Sequence, residues 1–247
     1  MNDELKFTVI SDTHYYSKKN FVDGFDKNKK PKPGQLFFSR SEEIVEHTFD
    51  CLCKNDTPDI VLISGDLTYN GERTSHDEMK AALKKLQQKG KRAYVITATH
   101  DYTTPRMPTY GIDKNDKYIE VESVKRTQLL KYYGDFGYNN AIAKHKSTMS
   151  YVAQLADGYR LFALNDDYGD PDCGFSDELM NWVKTEANNA KRDGQYIIAM
   201  THHPLVPPSP IYAAIAKGDM LNDYELRSKQ LSDLGFDFVL TGHTHMH

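Results

Sequence analysis

Six of the ten histidines in this 247-residue chain follow directly after short apolar segments that are typical of β-strands. They are His14, His100, His202, His203, His243 and His245. Three aspartates stand beside or between them, namely Asp12, Asp66 and Asp101. Imidazole nitrogens and carboxylate oxygens together are the ligands that Zn²⁺, Mn²⁺ and Fe²⁺ accept in proteins. The pattern therefore indicates a metal centre assembled from several strand ends.

Such a centre suits the hydrolysis of a phosphate ester. Two cations about 3.5–4 Å apart neutralise the anion and hold it in line for attack, while a carboxylate bridges them. Bound cations also lower the pKa of water, and a histidine outside the coordination shell can protonate the leaving alkoxide. Any one of these motifs also occurs as an ordinary surface or hydrogen-bonding residue. Their joint placement at strand ends favours the catalytic interpretation, because sites in α/β sheets form there.

Alternating apolar strands and amphipathic helices must position these residues, and the alternation predicts an α/β fold in one domain over residues 1–247. The predicted strands cover residues 6–10, 59–64, 93–97, 149–155, 159–165, 196–200 and 236–240. The predicted helices cover residues 41–54, 75–89, 122–133, 177–192 and 224–234. The strands at 149–155 and 159–165 are expected to form a hairpin, because only Ala156-Asp157-Gly158 separates them.

Two long polar segments, 15–40 and 102–119, interrupt this alternation, and loops of that length are usually functional or disordered. The first segment contains six lysines: Lys18, Lys19, Lys27, Lys29, Lys30 and Lys32. They belong either to a solvated loop or to an electropositive rim that guides an anionic substrate. In the second, Tyr102, Arg106 and Tyr110 are candidates to clamp a phosphate or stack on a base. Asn70 either touches the substrate or serves the turn at 69–71.

Composition and charge limit the kinds of partner that this chain is expected to bind. The net charge of −4 provides no overall positive field, so strong binding to nucleic acid is not expected. No apolar run approaches the roughly 18–20 residues of a membrane span. The first residues lack the features of a signal peptide, and we expect a cytoplasmic protein unless a leader has been removed. A small phosphate ester is the expected partner.

Five motifs occur in the order found in the calcineurin-like metallophosphoesterases, which this chain resembles from its first strand to its last residues: Asp12-x-His14, Gly65-Asp66, His100-Asp101, His202-His203-Pro204 and Gly242-His243-x-His245. The resemblance implies two mixed β-sheets sandwiched by helices, with further strands expected beyond His247. It also implies two divalent metal ions. Residues 65–72, 133–138 and 150–152 further resemble the bacterial cyclic-nucleotide phosphodiesterase-like branch.

The resemblance implies a role for each residue. The metal ligands would be Asp12, His14 and His245 at the first metal and His202 and His243 at the second, with Asp66 bridging. His100 would be the general acid, oriented by Asp101. His203 would lie outside the coordination shell. The implied reaction is hydrolysis of a phosphate ester, and we expect a small phosphodiester such as a cyclic nucleotide or a glycerophosphodiester.

One motif departs from the family. Ala98-Thr99-His100-Asp101 stands where the family has Gly-Asn-His-Asp or Gly-Asn-His-Glu, and the asparagine is normally a ligand of the second metal. Three outcomes remain open: Thr99 ligates weakly, water fills the position, or the second metal binds loosely. A positive φ at Ala98 would be strained without glycine. We expect an active enzyme, because the charged ligands are retained, and the alternative is a non-catalytic binding scaffold.

Overall fold

Short apolar segments of the chain become strands, and the amphipathic segments between them become helices, in a computed structural model that describes residues 4–24, 38–167 and 173–245. The strands are β1 (Phe7–Ile10), β2 (Ile60–Ser64), β3 (Arg92–Ile96), β4 (Gly111–Ile112), β5 (Tyr118–Ile119), β6 (Ala143–His145), β7 (Ser150–Ala156), β8 (Tyr159–Ala163), β9 (Tyr196–Met200) and β10 (Phe238–Leu240). The α-helices are α1 (Phe38–Leu52), α2 (Arg73–Gln88), α3 (Leu129–Tyr133), α4 (Asp177–Arg192), α5 (Pro210–Ile215) and α6 (Tyr224–Asp233).

The strands form two main sheets and a small hairpin. The first sheet has the order β1-β2-β3, and its described strands are parallel. The second has the order β10-β9-β8-β7-β6 and is mixed. Strands β8, β9 and β10 are parallel to one another, whereas β7 is antiparallel to both of its neighbours, β6 and β8. The hairpin pairs β4 with β5. The predicted α/β architecture with two sheets between helices is confirmed.

Alternating side chains of the strands build the layers. In β2, Val61 and Ile63 pack with residues of α1 and α2, whereas Ile60 and Leu62 pack between the two sheets. The far face of the second sheet packs against α4 through side chains such as Val183. Because successive residues of a strand point to opposite faces, a strand buried on both faces must be continuously apolar. The layers are therefore helix, sheet, sheet and helix.

Three predicted helices differ from the structure. The first spans Phe38–Leu52 instead of 41–54. The second begins at Arg73 instead of Ser75, because the Ser75 hydroxyl accepts hydrogen bonds from Ser17 N and Asn20 Nδ2, both at 3.1 Å, instead of capping the helix. The helix predicted at 122–133 is shortened to α3 and a preceding 3₁₀ turn at 126–128. Its first part is extended, since Ser123 bridges to Glu72. Strands β4, β5 and β6 and helix α5 were not predicted.

Two lysines of the first long loop form ion pairs: Lys18 with Glu42 at 3.1 Å and Lys19 with Glu78 at 2.7 Å. The other four, Lys27, Lys29, Lys30 and Lys32, lie outside the described residues, so the electropositive rim stays a prediction. In the part of the chain that is described, no helix combines the length and hydropathy needed to cross a bilayer.

Candidate active site

The carboxyl ends of both sheets converge on one edge of the sandwich. Asp12 N donates to Gly65 O at 3.1 Å and His14 N to Asp66 O at 3.0 Å, so the segments after β1 and β2 are joined. His202, after β9, reaches across to the first sheet, where its Nδ1 bonds Ser64 O at 2.9 Å. These hydrogen bonds join the segments that carry four of the predicted metal ligands: Asp12, His14, Asp66 and His202.

Gly65 permits this approach of the two sheets. Its φ is +100°, and a Cβ there would lie 2.7 Å from Ala98 Cβ and 2.9 Å from His202 Nδ1. Those separations are below any real contact, so a side chain at this position would displace His202. The position before Asp66 therefore requires glycine both because a Cβ would clash and because its φ is positive.

Asp66 lies between the two groups of predicted ligands. Its Oδ2 is 3.2 Å from His202 Nε2 and 3.7 Å from His14 Nε2. Its Oδ1 accepts the main-chain N–H of His100 at 3.0 Å. One carboxylate thus faces a histidine from each predicted metal position and also contacts the segment that carries the predicted acid. This is the arrangement that a bridging ligand requires.

The remaining ligand atoms converge on either side of Asp66. At the first position, His245 Nε2 lies 3.1 Å from His14 Nε2 and 3.5 Å from Asp12 Oδ1. At the second, His243 Nδ1 lies 3.3 Å from His202 Nε2. Adjacent ligands of a tetrahedral ion with bonds near 2.1 Å are roughly 3.4 Å apart. The donor set and its spacing therefore fit two divalent cations.

Main-chain conformation at the ligands supports the same conclusion. Five of the six predicted nitrogen and carboxylate ligands have a positive φ: Asp12 (54°), His14 (39°), Asp66 (52°), His243 (71°) and His245 (52°). Such conformations cost about 1–3 kcal/mol each in non-glycine residues and concentrate at functional sites. The fold gives up stability to aim these side chains at one another.

The direction of the pKa shift divides three of the predicted histidine ligands into two groups. Burial lowers the pKa of His14 to about 4, and burial together with His203 lowers the pKa of His243 to about 4. Burial also disfavours a charge on His202, but the Asp66 carboxylate outweighs it and raises the pKa of His202 to about 9. His14 and His243 are thus neutral near pH 7, the state in which imidazole binds metals. His202 must lose its proton first.

His100 is fixed by the loop that follows Asp66. Its Nδ1 lies 2.5 Å from Tyr69 O and 2.9 Å from Asn70 Oδ1. Its half-buried ring meets the ring of His14 edge-on, with centroids 4.6 Å apart. Because Tyr69 O can only accept, Nδ1 carries a hydrogen and Nε2 is the nitrogen available to a substrate.

The ring of His100 contacts Asn70, and the turn that carries His100 contacts Asp101. Asp101 is fully buried, and its carboxylate accepts Thr68 N and Ala98 N, both at 2.9 Å. It braces the turn that carries His100, whereas Asn70 contacts the ring. These contacts of Asp101 are with the main chain of the turn, and its role in orienting His100 stays a prediction. Asn70 is 5% exposed and engaged with His100, and its contact with a substrate also stays a prediction.

The two residues predicted to clamp the substrate, Tyr102 and Arg106, lie in different environments. Tyr102 is buried in the core between the first sheet and its helices, and the Arg126 guanidinium lies 5.4 Å from its ring centre. Its ring packs in this core, and its contact with a substrate stays a prediction. Arg106 is exposed on the following loop, and its phosphate contact stays a prediction.

At the departure from the family motif, Ala98 has φ −142°, which is extended backbone, so the expected strain is absent. Thr99 begins a 3₁₀ turn, Thr99–Asp101, beside the ligands and is half-buried. Its role as a ligand stays a prediction.

Sequence reasoning missed Asp166, which follows β8. Its Oδ2 accepts Thr201 Oγ1 at 2.7 Å, His202 N at 3.1 Å and His203 N at 2.6 Å. It lies 3.4 Å from His203 Nδ1, so His203 points toward a carboxylate behind the ligands. An aspartate directly after a strand was the available signal.

Comparison with known proteins agrees with this geometry. The profile of a family described as calcineurin-like phosphoesterase matches residues 5–247. Among solved structures, a dimetal phosphatase from Danio rerio superposes with a TM-score of 0.62 at 12% identity, covering 98% of this chain and 82% of that chain. At that identity the likeness shows a shared fold. No match was found among the curated proteins.

Proposed function

Because this chain belongs to the calcineurin-like phosphoesterase family, whose members are metal-dependent hydrolases, we propose that it hydrolyses a phosphodiester with His100 as the general acid. The observation that carries the proposal is the position of His100. Its main-chain N–H binds the bridging candidate Asp66 at 3.0 Å, and its ring contacts His14. An acid in that position is within reach of a phosphate held by the ligands.

The proposed ligand side chains would hold two divalent cations, and Mn²⁺, Zn²⁺ and Fe²⁺ are the ions that suit their donors. Asp12, His14 and His245 face the first position, His202 and His243 the second, and Asp66 both. When bound, the cations neutralise the phosphate and lower the pKa of water. Thr99 is proposed as a weak further ligand at the second position.

His100 supplies the proton that the leaving alkoxide needs. Tyr69 O and Asn70 Oδ1 both accept at Nδ1, so the hydrogen that His100 delivers is the one on Nε2. The Nε2 hydrogen passes to the leaving oxygen as the bond to phosphorus breaks. The tautomer is maintained by the loop, so no side-chain rearrangement is required before the transfer.

The charges around the ligands favour a diester over a monoester. Within the described residues, the ion pairs of Asp12 and Asp66 all involve histidines. Lys18 and Lys19 are paired with Glu42 and Glu78. A phosphodiester carries one negative charge and a monoester near neutral pH carries almost two. Among the described residues, no ion pair joins Asp12 or Asp66 to a lysine or an arginine, and this favours the less charged ester.

The proposal is tested by hydrolysis of bis(p-nitrophenyl) phosphate and p-nitrophenyl phosphate with Mn²⁺, Zn²⁺ or Mg²⁺. We expect metal-dependent turnover with a higher kcat/KM for the diester, and loss of turnover in Asp66→Asn. Preference for the monoester would contradict the diester assignment. Turnover that persists in Asp66→Asn would contradict the metal site.

The role of His100 has its own test. His100→Ala is expected to lower kcat about 10²–10⁴-fold for diesters with alkyl leaving groups. The loss should be much smaller for p-nitrophenyl esters, because p-nitrophenolate leaves without protonation. Equal losses for both substrates, with unchanged metal content, would show that His100 is not the acid.

A non-catalytic scaffold on the same fold is the second candidate, and Thr99 at the position of the family asparagine is the observation that favours it. It predicts fewer than two bound Mn²⁺ ions per chain in calorimetric titration and no turnover with any of the esters. Two bound ions with turnover would exclude it.

A further inference from the structure

One buried carboxylate binds the turn that holds His100. Glu72 is fully buried, and its Oε1 accepts the main-chain N–H of Asn70 at 3.0 Å. The same turn presents Tyr69 O and Asn70 Oδ1 to His100 Nδ1, at 2.5 and 2.9 Å. Glu72 therefore reaches the ring of the proposed acid through a single residue, Asn70.

The side chain of Glu72 does not cap its own helix. Glu72 is the N-cap residue of α2, but its side chain makes no capping hydrogen bond. Its main chain is held by other contacts: His76 N donates to Glu72 O at 3.0 Å, and Ser123 forms a β-bridge with Glu72. The carboxylate therefore joins the start of α2 to the turn at residues 69–71.

The turn is also held on its other side. Gly71 has a φ of +76°, and a Cβ there would lie 2.6 Å from Tyr102 Cα, so the turn packs directly on the main chain of the following loop. Val124 N donates to Gly71 O at 2.8 Å. With these neighbours in place, the hydrogen bond to Glu72 fixes the direction of the Asn70 N–H.

The charge of Glu72 has little compensation. Among the described residues, its Oε2 has no hydrogen-bond partner and the carboxylate has no ion pair. The neighbouring cation, Arg73, is directed elsewhere: its Nε lies 3.1 Å from Glu122 Oε2, and its Nη1 donates to Tyr132 Oη at 3.1 Å. Burial raises the pKa of Glu72 to about 7, although hydrogen bonds from the turn partly offset the shift.

The other titratable groups around Glu72 are neutral near pH 7. Burial raises the pKa values of the Tyr16 and Tyr69 hydroxyls above their ordinary value, and burial lowers the pKa of His76 to about 3. An unfolded glutamate titrates near 4.3. Ionised Glu72 therefore destabilises the fold, and stability is lost as the pH rises from about 4 through 7. Groups with such shifts concentrate at functional sites.

We propose that Glu72 is a positioning residue whose carboxylate fixes the turn at residues 69–71, so that the turn presents both acceptors to His100. This inference rests on the proposed function, because it concerns the residue that delivers the proton. A hydrogen bond from an N–H to an ionised carboxylate is roughly twice as strong as one to a neutral acceptor. Ionised Glu72 therefore holds Asn70 more firmly than neutral Glu72, and proton transfer from His100 is more efficient when Glu72 is ionised.

Glu72→Gln keeps the size of the side chain and an acceptor oxygen but cannot ionise. The test compares this variant with the unsubstituted protein on dimethyl phosphate and methyl p-nitrophenyl phosphate, which differ only in the leaving group. For dimethyl phosphate, we expect the ratio of kcat values, unsubstituted to variant, to rise from about 1 at pH 5.5 to about three- to tenfold at pH 8. For methyl p-nitrophenyl phosphate the ratio should stay near 1 at both pH values, because p-nitrophenolate leaves without protonation. The KM and the metal content should be unchanged.

Thermal stability separates a positioning role from a purely structural one. Glu72→Gln removes a buried charge, so its Tm at pH 8 should rise by about 2 °C or more, and by less at pH 5.5. Glu225→Gln, in the exposed first turn of α6, is the matched control and should change neither the Tm nor kcat. A variant that is more stable and yet slower on dimethyl phosphate supports the positioning role. A variant whose Tm and kcat both fall would overturn it, because Glu72 would then only support the fold.

A kcat ratio that does not change with pH, or that changes equally for both esters, would also overturn the role of Glu72. The proposed function would stay intact, because Asp66→Asn and His100→Ala test it separately. If neither ester is hydrolysed, NMR spectra of the Zn²⁺-loaded protein decide the point. The Asn70 amide and His100 ring N–H resonances should both shift with a midpoint near pH 7, and Glu72→Gln should abolish that shift. A response of both resonances would support the link and reject only the reaction, whereas a response of the Asn70 amide alone, or of neither, would overturn the link.

Discussion

Asn70 Oδ1 accepts a hydrogen bond from His100 Nδ1 at 2.9 Å. Asn70, four positions after the proposed bridging residue Asp66, is therefore the side chain that orients the ring of the proposed acid. Asn70 is almost fully buried, and its amide nitrogen lies 3.4 Å from Pro108 O. Both ends of the amide are therefore used. These two contacts hold the amide in place beside the His100 ring.

Asn70→Ala is expected to lower kcat about 10–100-fold, the range for losing a residue that orients an active-site group. KM and the number of bound metal ions should change little. Asn70→Asp retains the acceptor and should recover most of the activity, which a purely structural role would not predict. Asn181→Ala, at an exposed position of α4, is the matched control. Failure of the aspartate variant to recover activity would contradict the orienting role.

Metal affinity should depend on pH through His202. Its pKa is raised to about 9 by Asp66, whereas an unfolded histidine titrates near 6.5. The ion pair therefore stabilises the metal-free protein fully below pH 6.5, and this contribution is lost as the pH rises through 9. Metal must displace that proton, so the Kd for Mn²⁺ should fall about tenfold per pH unit across this window.

Calorimetric titration between pH 6.5 and 9 in buffers of different ionisation enthalpy measures both the Kd and the number of protons released. A Kd that does not change with pH, or the release of no proton, would contradict the Asp66–His202 pairing. His14 and His243, whose pKa values lie near 4, should release none in this range.

Thr99→Asn should strengthen the second metal position. Thr99 stands where the family has a ligating asparagine, and an amide oxygen reaches farther than a hydroxyl and is a better neutral donor. We expect the weaker of two Mn²⁺ sites to gain about tenfold in affinity, the lower end of the range for groups around a metal. The gain should appear in titration even if kcat is unchanged. Thr99→Val should not produce it, and equal affinities in both variants would rule out a ligand role.

Asp167 carries a buried charge whose removal should stabilise the protein. Neither carboxylate oxygen has a hydrogen-bond partner among the described residues, and burial together with Asp166 raises the pKa of Asp167 to about 7. An unfolded aspartate titrates near 3.9. Stability is therefore lost as the pH rises from about 4 through 7, and the destabilisation is complete above that value.

Asp167→Asn should raise the Tm at pH 8 by about 2 °C or more, and by less at pH 5. Asp157→Asn, in the exposed turn between β7 and β8, should have no such effect. Differential scanning calorimetry of the metal-free protein provides the comparison. A lower Tm at pH 8 would mean that the Asp167 charge is compensated.

The sequence alone predicted the strands and helices with strong periodicity and the residues at their ends. The predicted bounds of α4 and β9 agree with the structure, because a long amphipathic helix and a continuous apolar strand have clear local patterns. The convergence of the proposed ligands was predictable for a related reason. The carboxyl ends of parallel strands lie on one edge of a sheet, so side chains that follow these strands must converge.

The partners of those side chains were decided by the tertiary structure. His14 and His245 are 231 positions apart in the chain, and their nitrogens meet at 3.1 Å only because the two sheets pack face to face. Neighbours in sequence can point to opposite sides: His100 faces the ligands, whereas Asp101 and Tyr102 turn into the core. Tight turns and irregular loops aim each side chain through backbone angles and packing, which carry no periodic signal. The residue types at the site follow from the sequence, and the contacts that give each one a role follow from the way the chain packs.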